Sequence, residues 1–310
     1  MKLVFCGTPQ FAVPSLEKLA AAGFELQLVV TQPDRPQGRG MEMTASRVKQ
    51  AAVRLGLPVV QPETIKKNEE FQQKLAALQP DAIIVVGYGR IVPTWMLQLP
   101  PYGNINVHAS LLPKYRGAAP IQWAVASGET VTGVTTMRID EGLDTGDVLL
   151  QREIGILPED NALTIAPRLA QSGACLLVET LRGVEQGSIH PVSQDNAQAT
   201  LARILKKEDG QIDFKRTAVE ICNRLRGFQP WPGAYTQFRG RNLKLVAARA
   251  TEPAGLTPGE LRIGNESLLA GCGEGTTLEL LQVQPEGRKP ISAREFIAGY
   301  RPGPQDLAAS

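Results

Sequence analysis

The chain has 310 residues, 43% of them apolar and 21% charged, with a formal net charge of +2. This excludes a disordered or low-complexity chain and gives length enough for two domains or one large one. No stretch approaches the roughly 18 apolar residues of a membrane helix, and Cys6, Cys175, Cys222 and Cys272 form no CxxC pair, which argues against a zinc site or disulfide framework.

Residues 2–6 form an apolar run followed by Gly7-Thr8-Pro9, then apolar positions at helical spacing over 11–19. A strand at the N-terminus, rather than a signal peptide, leads to the expectation of a cytoplasmic protein. The pattern repeats: strand 25–30, helix 44–55, strand 58–60, helix 69–78, strand 82–86, helix 93–97 and strand 104–107. Strands alternating with helices predict a Rossmann-like α/β fold, with a mostly parallel sheet and helices on both faces. The first turn lacks GxGxxG, so no dinucleotide site is inferred. Residues 130–137 and 148–154 read as the last two strands and 163–184 as a long amphipathic helix. Periodicity fades over 188–205, which reads as a linker between a domain at 1–187 and another at 206–310. In the second, a helix near 218–225 precedes short strands at 234–238, 243–248, 259–263, 267–270 and 277–283. Short strands with glycine turns predict a small OB-like β-barrel. The tail after Tyr300 reads as frayed.

Charge is unevenly placed. Residues 203–249 carry 11 Lys/Arg against 4 Asp/Glu, whereas 1–187 carry 17 against 18. A solvated surface and an anionic partner are both compatible with that excess.

The stretch 103–117, GNINVHASLLPKYRG, places Asn106 and His108 two residues apart at the end of a strand, hence on one side of it. An amide beside an imidazole can donate hydrogen bonds to an oxygen that gains negative charge. A carboxylate nearby can hold the imidazole or relay protons. Asp144 lies in an acidic, glycine-rich turn (140–147) between two later strands, and Asp140, Glu141 and Asp147 could serve as well. There is no GxSxG elbow and no HExxH, so the set suits direct attack by an amine on a carbonyl-like carbon, without a covalent intermediate or a metal.

NxHxSLLPxYRG followed by DxGLDTGD resembles the folate-dependent formyltransferases. GTPxF (7–11), TQPDRPxGRG (31–40) and PWPGA (230–234) resemble in particular the members that act on initiator methionyl-tRNA, over nearly the whole chain. The resemblance implies that Asn106, His108 and Asp144 are the catalytic trio and that 10-formyltetrahydrofolate is the donor. It implies that the α-amino group of methionine on initiator tRNA is the acceptor. It implies a folate pocket lined by Gly87, Tyr88 and Gly89 and by Ser110, Leu111, Leu112 and Pro113, with plain core as the lesser alternative for the two leucines. The long loop 31–47 matches a segment that contacts the tRNA acceptor stem, with Arg39 at the matching arginine. This chain departs from the pattern just beyond it, with Met41-Glu42-Met43 where relatives carry lysines. Lys206, Lys207, Arg224, Arg226, Arg239, Arg241 and Lys244 then become candidate tRNA contacts. Phe228 and Trp231 are expected to pack rather than to stack on bases. A monomer is expected, with no membrane partner. The same motifs occur in enzymes that formylate amino-sugar nucleotides or glycinamide ribonucleotide and in formyl-folate hydrolases, so these remain alternatives, as does a non-catalytic tRNA- or folate-binding module.

Overall fold

A computed structural model describes residues 1–37, 41–264 and 267–307. They form two compact units. The first comprises Met1–Pro120, Val131–Gly155 and Ala166–Ala202, and the second comprises Ile121–Thr130, Ile156–Ile165 and Arg203–Ser310.

The first unit is built on seven strands: β1 (Lys2–Gly7), β2 (Glu25–Val30), β5 (Val59–Val60), β6 (Ala82–Val86), β7 (Asn104–His108), β8 (Val131–Arg138) and β9 (Val148–Gly155). Their order is β5-β2-β1-β6-β7-β8-β9. The first five are parallel, as the alternating pattern predicts. β8 and β9 run antiparallel. Only the turn 139–147 separates them, too short for a crossover, so a hairpin is the one connection open to the chain.

Central strands carry apolar residues on both faces. In β1, Leu3 and Phe5 join α1 (Val13–Ala21), α2 (Arg47–Arg54) and α6 (Ala162–Glu185) in one core. Val4 and Cys6 join Phe71 and Leu75 of α3 (Glu69–Ala77) and Met96 of α4 (Thr94–Leu97) in another. α6 passes close to β7 because Gly173 has no Cβ: one placed there would lie 2.8 Å from Val107 Cγ1. Two elements escape the sequence pattern. The loop 31–47 holds a short antiparallel ribbon, β3 (Arg35–Gln37) with β4 (Glu42–Thr44), rather than running without structure. α5 (Pro120–Ala126) also escapes it, being a seven-residue helix too short to display a face.

The second unit is an antiparallel sheet of order β10-β11-β14-β13-β12, with β15 on β14. The strands are β10 (Ala234–Phe238), β11 (Arg241–Thr251), β12 (Leu261–Ile263), β13 (Leu268–Gly271), β14 (Thr277–Pro285) and β15 (Ile291–Ser292). Its core joins Ile221 and Leu225 of α7 (Ala218–Gly227) to Leu245, Leu280 and Phe296. Phe296 belongs to α8 (Ala293–Tyr300), another unanticipated helix. Its signal is a capping box, in which Ser292 accepts from the Glu295 N–H and Glu295 accepts from the Ser292 N–H. The tail is not frayed through residue 307. Arg239 N–H donates to Asp306 O at 2.9 Å, its guanidinium pairs with the Asp306 carboxylate at 2.7 Å, and Leu307 is buried. The burial of one leucine and the ion pair hold a segment whose composition alone reads as mobile.

Within the same unit Asp209 is nearly buried and accepts from both the Arg203 guanidinium and the Lys206 N–H. The Arg203 contact holds its carboxyl below the usual carboxylate range. A depressed folded-state pKa contributes stability that is complete above the unfolded value of about 4 and is lost as pH falls below it. We expect Asp209→Asn to lower the thermal midpoint at neutral pH, and the gap from the parent to close as the pH is taken down through about 4. Thermal melts at stepped pH check this.

Candidate functional site

β7 emerges from the carboxyl end of the parallel sheet, where α/β folds bind their ligands. Its register aligns Asn106 with Val85 of β6 and His108 with Thr135 of β8. Ile105 and Val107 face the core under α6, so Asn106 and His108 point to the opposite side.

His108 is 6% exposed. Its Nε2 lies 2.9 Å from the Tyr115 carbonyl oxygen, and its Nδ1 lies 3.7 Å from Asp144 Oδ2. Asn106 Nδ2 donates to Asp144 Oδ1 at 3.4 Å. Of the four acids in the 140–147 turn, Asp144 is therefore the one brought to the trio. Asp140 instead caps its own turn through the Gly142 N–H and the Thr145 hydroxyl, and Asp147 accepts from Ser193 Oγ. Glu141 is exposed, and Thr94 donates to it at 3.3 Å.

Backbone conformation sets the Asp144 position. Its φ is +52°, a left-handed value that aspartate tolerates better than most residues. The carboxylate is fixed from below by Gly117 N–H, which donates to Oδ2 at 2.9 Å. Gly117 has φ +121°, and a Cβ there would lie 2.6 Å from the Ala202 carbonyl oxygen. A glycine is the residue that fits both constraints.

The loop after β7 is held by a hidden hydroxyl. Thr135 Oγ1 donates to Ser110 O at 2.7 Å and accepts from the Leu112 N–H at 3.2 Å. Gln151 donates to Leu112 O at 2.8 Å, and Ser110 Oγ donates to Lys114 O at 2.6 Å. Leu112 is core, Pro113 is half-buried, and Leu111 lies over Gly133, where an added Cβ would meet Leu111 Cδ2 at 2.5 Å. In the turn after β6, Gly87 and Gly89 are exposed with φ of +55° and +76°. Tyr88 does not line the site with its side chain. It is 1% exposed inside the second core, its phenol is pushed up to about 12 by burial, and only its main chain faces the loops. Thr8 Oγ1 and Gln32 Nε2 donate to its carbonyl at 3.2 and 2.9 Å.

The candidate tRNA contacts divide. Lys206, Lys207 and Arg241 are exposed. Lys244 is half-buried, with its stem beside Gly233. Three others are engaged in bonds within the chain, Arg239 at the surface. Arg226 donates to the carbonyls of Pro158 and Asp160, Arg224 lies over the Phe228 ring and donates to Asp209 O, and Arg239 pairs with Asp306. Arg39 lies outside the described residues. Phe228 is fully buried in edge contact with Trp123, whereas Trp231 is about half exposed.

Gly117 sits within the sequence motif yet carries no side chain to suggest a role. Arg116, Thr135 and Gln194 also escape sequence reasoning, because each acts through contacts 16 to 80 residues away. Among the described residues, no group of three or more His, Cys, Asp or Glu is placed to hold a metal ion, and no helix is long and apolar enough to cross a membrane.

Comparison with known proteins fits this geometry. Residues 1–181 match the family described as formyl transferase, and residues 204–301 match its C-terminal domain. A protein of Koribacter versatilis named methionyl-tRNA formyltransferase is 66% identical over 99% of this chain and 98% of its own length. One of the same name from Acidobacterium capsulatum is 60% identical over 98% of each chain. Among solved structures, the N-formyltransferase of Helicobacter canadensis, in complex with folinic acid and dTDP-3-aminofucose, superposes with a TM-score of 0.67 at 20% identity. It covers 92% of this chain and 99% of that one, a likeness of fold alone. Both halves of the chain match, and identity to relatives over nearly their whole length is high, so the chain belongs to the formyl transferase family.

Proposed function

We propose that this protein transfers the formyl group of 10-formyltetrahydrofolate to the α-amino group of methionine on initiator tRNA. The observation that carries the acceptor is the 66% identity to a methionyl-tRNA formyltransferase across 99% of the chain, second unit included. The amino-sugar enzyme shares the fold at only 20% identity. Folate as donor rests on the family and on the folate derivatives named with related structures.

The residues fit that chemistry. Asn106 holds its amide N–H by a long bond to Asp144, so it can turn to an oxygen gaining charge at the formyl carbon. His108 Nε2 lies against the Tyr115 carbonyl oxygen, and its Nδ1 faces the Asp144 carboxylate from 3.7 Å, beyond direct hydrogen-bond range. As the amine bonds to the formyl carbon, His108 donates to the developing oxyanion, while Asp144 orients it and helps carry the proton lost by the amine to the folate nitrogen, whose bond to the formyl carbon breaks. Exposed glycine main chain at 87 and 89, beside the carboxyl end of β7, suits the polar edge of a pterin. The 1–187 and 206–310 division assigns donor chemistry to the first domain and tRNA contact to the second. The same reading places the protein in the cytoplasm as a monomer.

The test offers the protein 10-formyltetrahydrofolate with charged initiator tRNA, an amino-sugar nucleotide, glycinamide ribonucleotide or no acceptor. Formyl transfer to the tRNA alone is expected, and transfer only to a sugar nucleotide or to water would refute the proposal. For tRNA contact, Lys206, Lys207 and Arg241 changed together to alanine should weaken tRNA binding and lower the salt slope of log Kd by about 2 to 3. Arg239→Ala should mainly lower the thermal midpoint, since its guanidinium is spent on Asp306 and the tail.

A further inference from the structure

The stretch 190–202 carries little regular structure beyond the 3-10 turn Asn196–Gln198, yet it is bonded along the first unit. Val192 and Val148 exchange both backbone hydrogen bonds, at 2.8 and 2.9 Å. Thr200 and Ala202 bond the backbone on either side of Arg116. Between these anchors Gln194 reaches the turn that carries Asp144. Its Nε2 donates to Asp144 O at 3.0 Å and to Gly146 O at 2.7 Å. Its Oε1 accepts from Arg116 Nε at 3.0 Å and Nη2 at 2.8 Å, and that Nη2 also donates to Asn196 Oδ1 at 2.9 Å. Arg116 is itself only 6% exposed, and the next residue is Gly117, whose N–H holds Asp144 Oδ2.

A closed circuit results. Arg116 fixes Gln194, Gln194 fixes the Asp144 main chain, and the backbone after Arg116 returns to fix the Asp144 carboxylate. A buried guanidinium usually takes a carboxylate partner. Here it takes two neutral amide oxygens, which leaves Asp144 the one carboxylate in the circuit. Asp144 also holds a left-handed φ, a conformation that persists where surrounding bonds over-determine it.

We propose that Gln194 is a positioning residue for formyl transfer, acting by locking the Asp144 turn against Arg116 so that the carboxylate stays between Asn106, His108 and Gly117. This rests on the assignment of Asp144 to the chemistry, but not on the identity of the acceptor. Gln194→Glu tests it best. The substitution keeps an oxygen for Arg116, removes the N–H2 donor and sets a charged oxygen against two carbonyls.

The expected result has two parts. Single-turnover formylation at saturating substrates falls by about 10- to 100-fold with the KM for each substrate within about twofold, because misplacement of a catalytic group costs rate rather than binding. The acid limb of its pH–rate profile also moves relative to the parent. Independently of activity, amide hydrogen exchange of the peptides covering Gly117 and 142–148 becomes faster. Gln194→Met, which removes both donor and acceptor, should behave at least as severely. Unchanged rate and unchanged exchange in both variants would overturn the proposal. So would a rate loss that follows a lowered thermal midpoint while profile and exchange stay at parental values. Failure of the parent protein to formylate any acceptor would sink the functional reading instead, and the exchange measurement would still decide the clamp.

Discussion

His108→Ala is expected to lower the single-turnover rate of formyl transfer by about 10²- to 10³-fold, the loss seen when one donor to a developing oxyanion is removed. The side chain touches three parts of the site. It takes the Tyr115 carbonyl at 2.9 Å, faces Asp144 Oδ2 at 3.7 Å and stands beside Asn106 on the strand. Removing it also removes the hydrogen bond at the Tyr115 carbonyl, a net stability cost of about 0.5–1.5 kcal/mol. A chain of this size tolerates that, so the variant should remain folded and should bind tRNA. The discriminating measurement is rapid-quench formylation beside a tRNA-binding titration. A near-parental rate would remove His108 from the chemistry, and joint loss of rate and binding would indicate a folding defect.

Gly117→Ala is expected to be nearly as damaging by a different route. The residue sits at φ +121°, where any Cβ is strained, and that Cβ would lie 2.6 Å from the Ala202 carbonyl oxygen. Backbone strain of this kind costs about 1–3 kcal/mol. Neither the Ala202 carbonyl nor its neighbours can yield easily, since Ala202 N–H donates to Arg116 O and Ala119 N–H donates to Ala202 O. The loop must move instead, and with it the N–H that holds Asp144. A shift near 1 Å at a catalytic group can cost about 10²-fold in rate. We expect a lowered thermal midpoint together with a rate loss near that size. Activity retained at temperatures well below the midpoint would show that Gly117 serves the fold alone.

The sequence made the strands of the first unit legible because each is a short apolar run bounded by a turn. The boundaries of β2 and β6, and of β10 in the second unit, match their runs residue for residue. Asn106 and His108 were legible because strand periodicity puts them on one side. Asp144 was singled out by motif, since nothing in its local sequence separates it from Asp140 and Asp147. What separates them is a backbone bond from Gly117 and the geometry of the turn, neither of which has a sequence signature. The same limit hid Gln194, which lies in a stretch without periodicity because its backbone pairs at single residues, with the start of β9 and with the loop at Arg116, rather than along a strand. Arg224, Arg226 and Arg239 show the converse. Charge counting treats every arginine as free for a partner, but a guanidinium can equally be taken up by main-chain carbonyls, even at the surface as for Arg239. Tyr88 shows it again, an aromatic in a glycine turn whose ring belongs to the core.

The strap formed by residues 190–202 has a consequence for synthesis of the protein. The bond from Gln194 to the Asp144 carbonyl spans 50 residues. On a ribosome adding about 5–20 residues each second, the turn bearing Asp144 emerges several seconds before the side chain that fastens it. For that interval the nascent sheet carries its histidine and amide with an unfastened acid. Cutting the gene at the end of α6 would make that interval permanent, leaving an N-terminal fragment that lacks the strap.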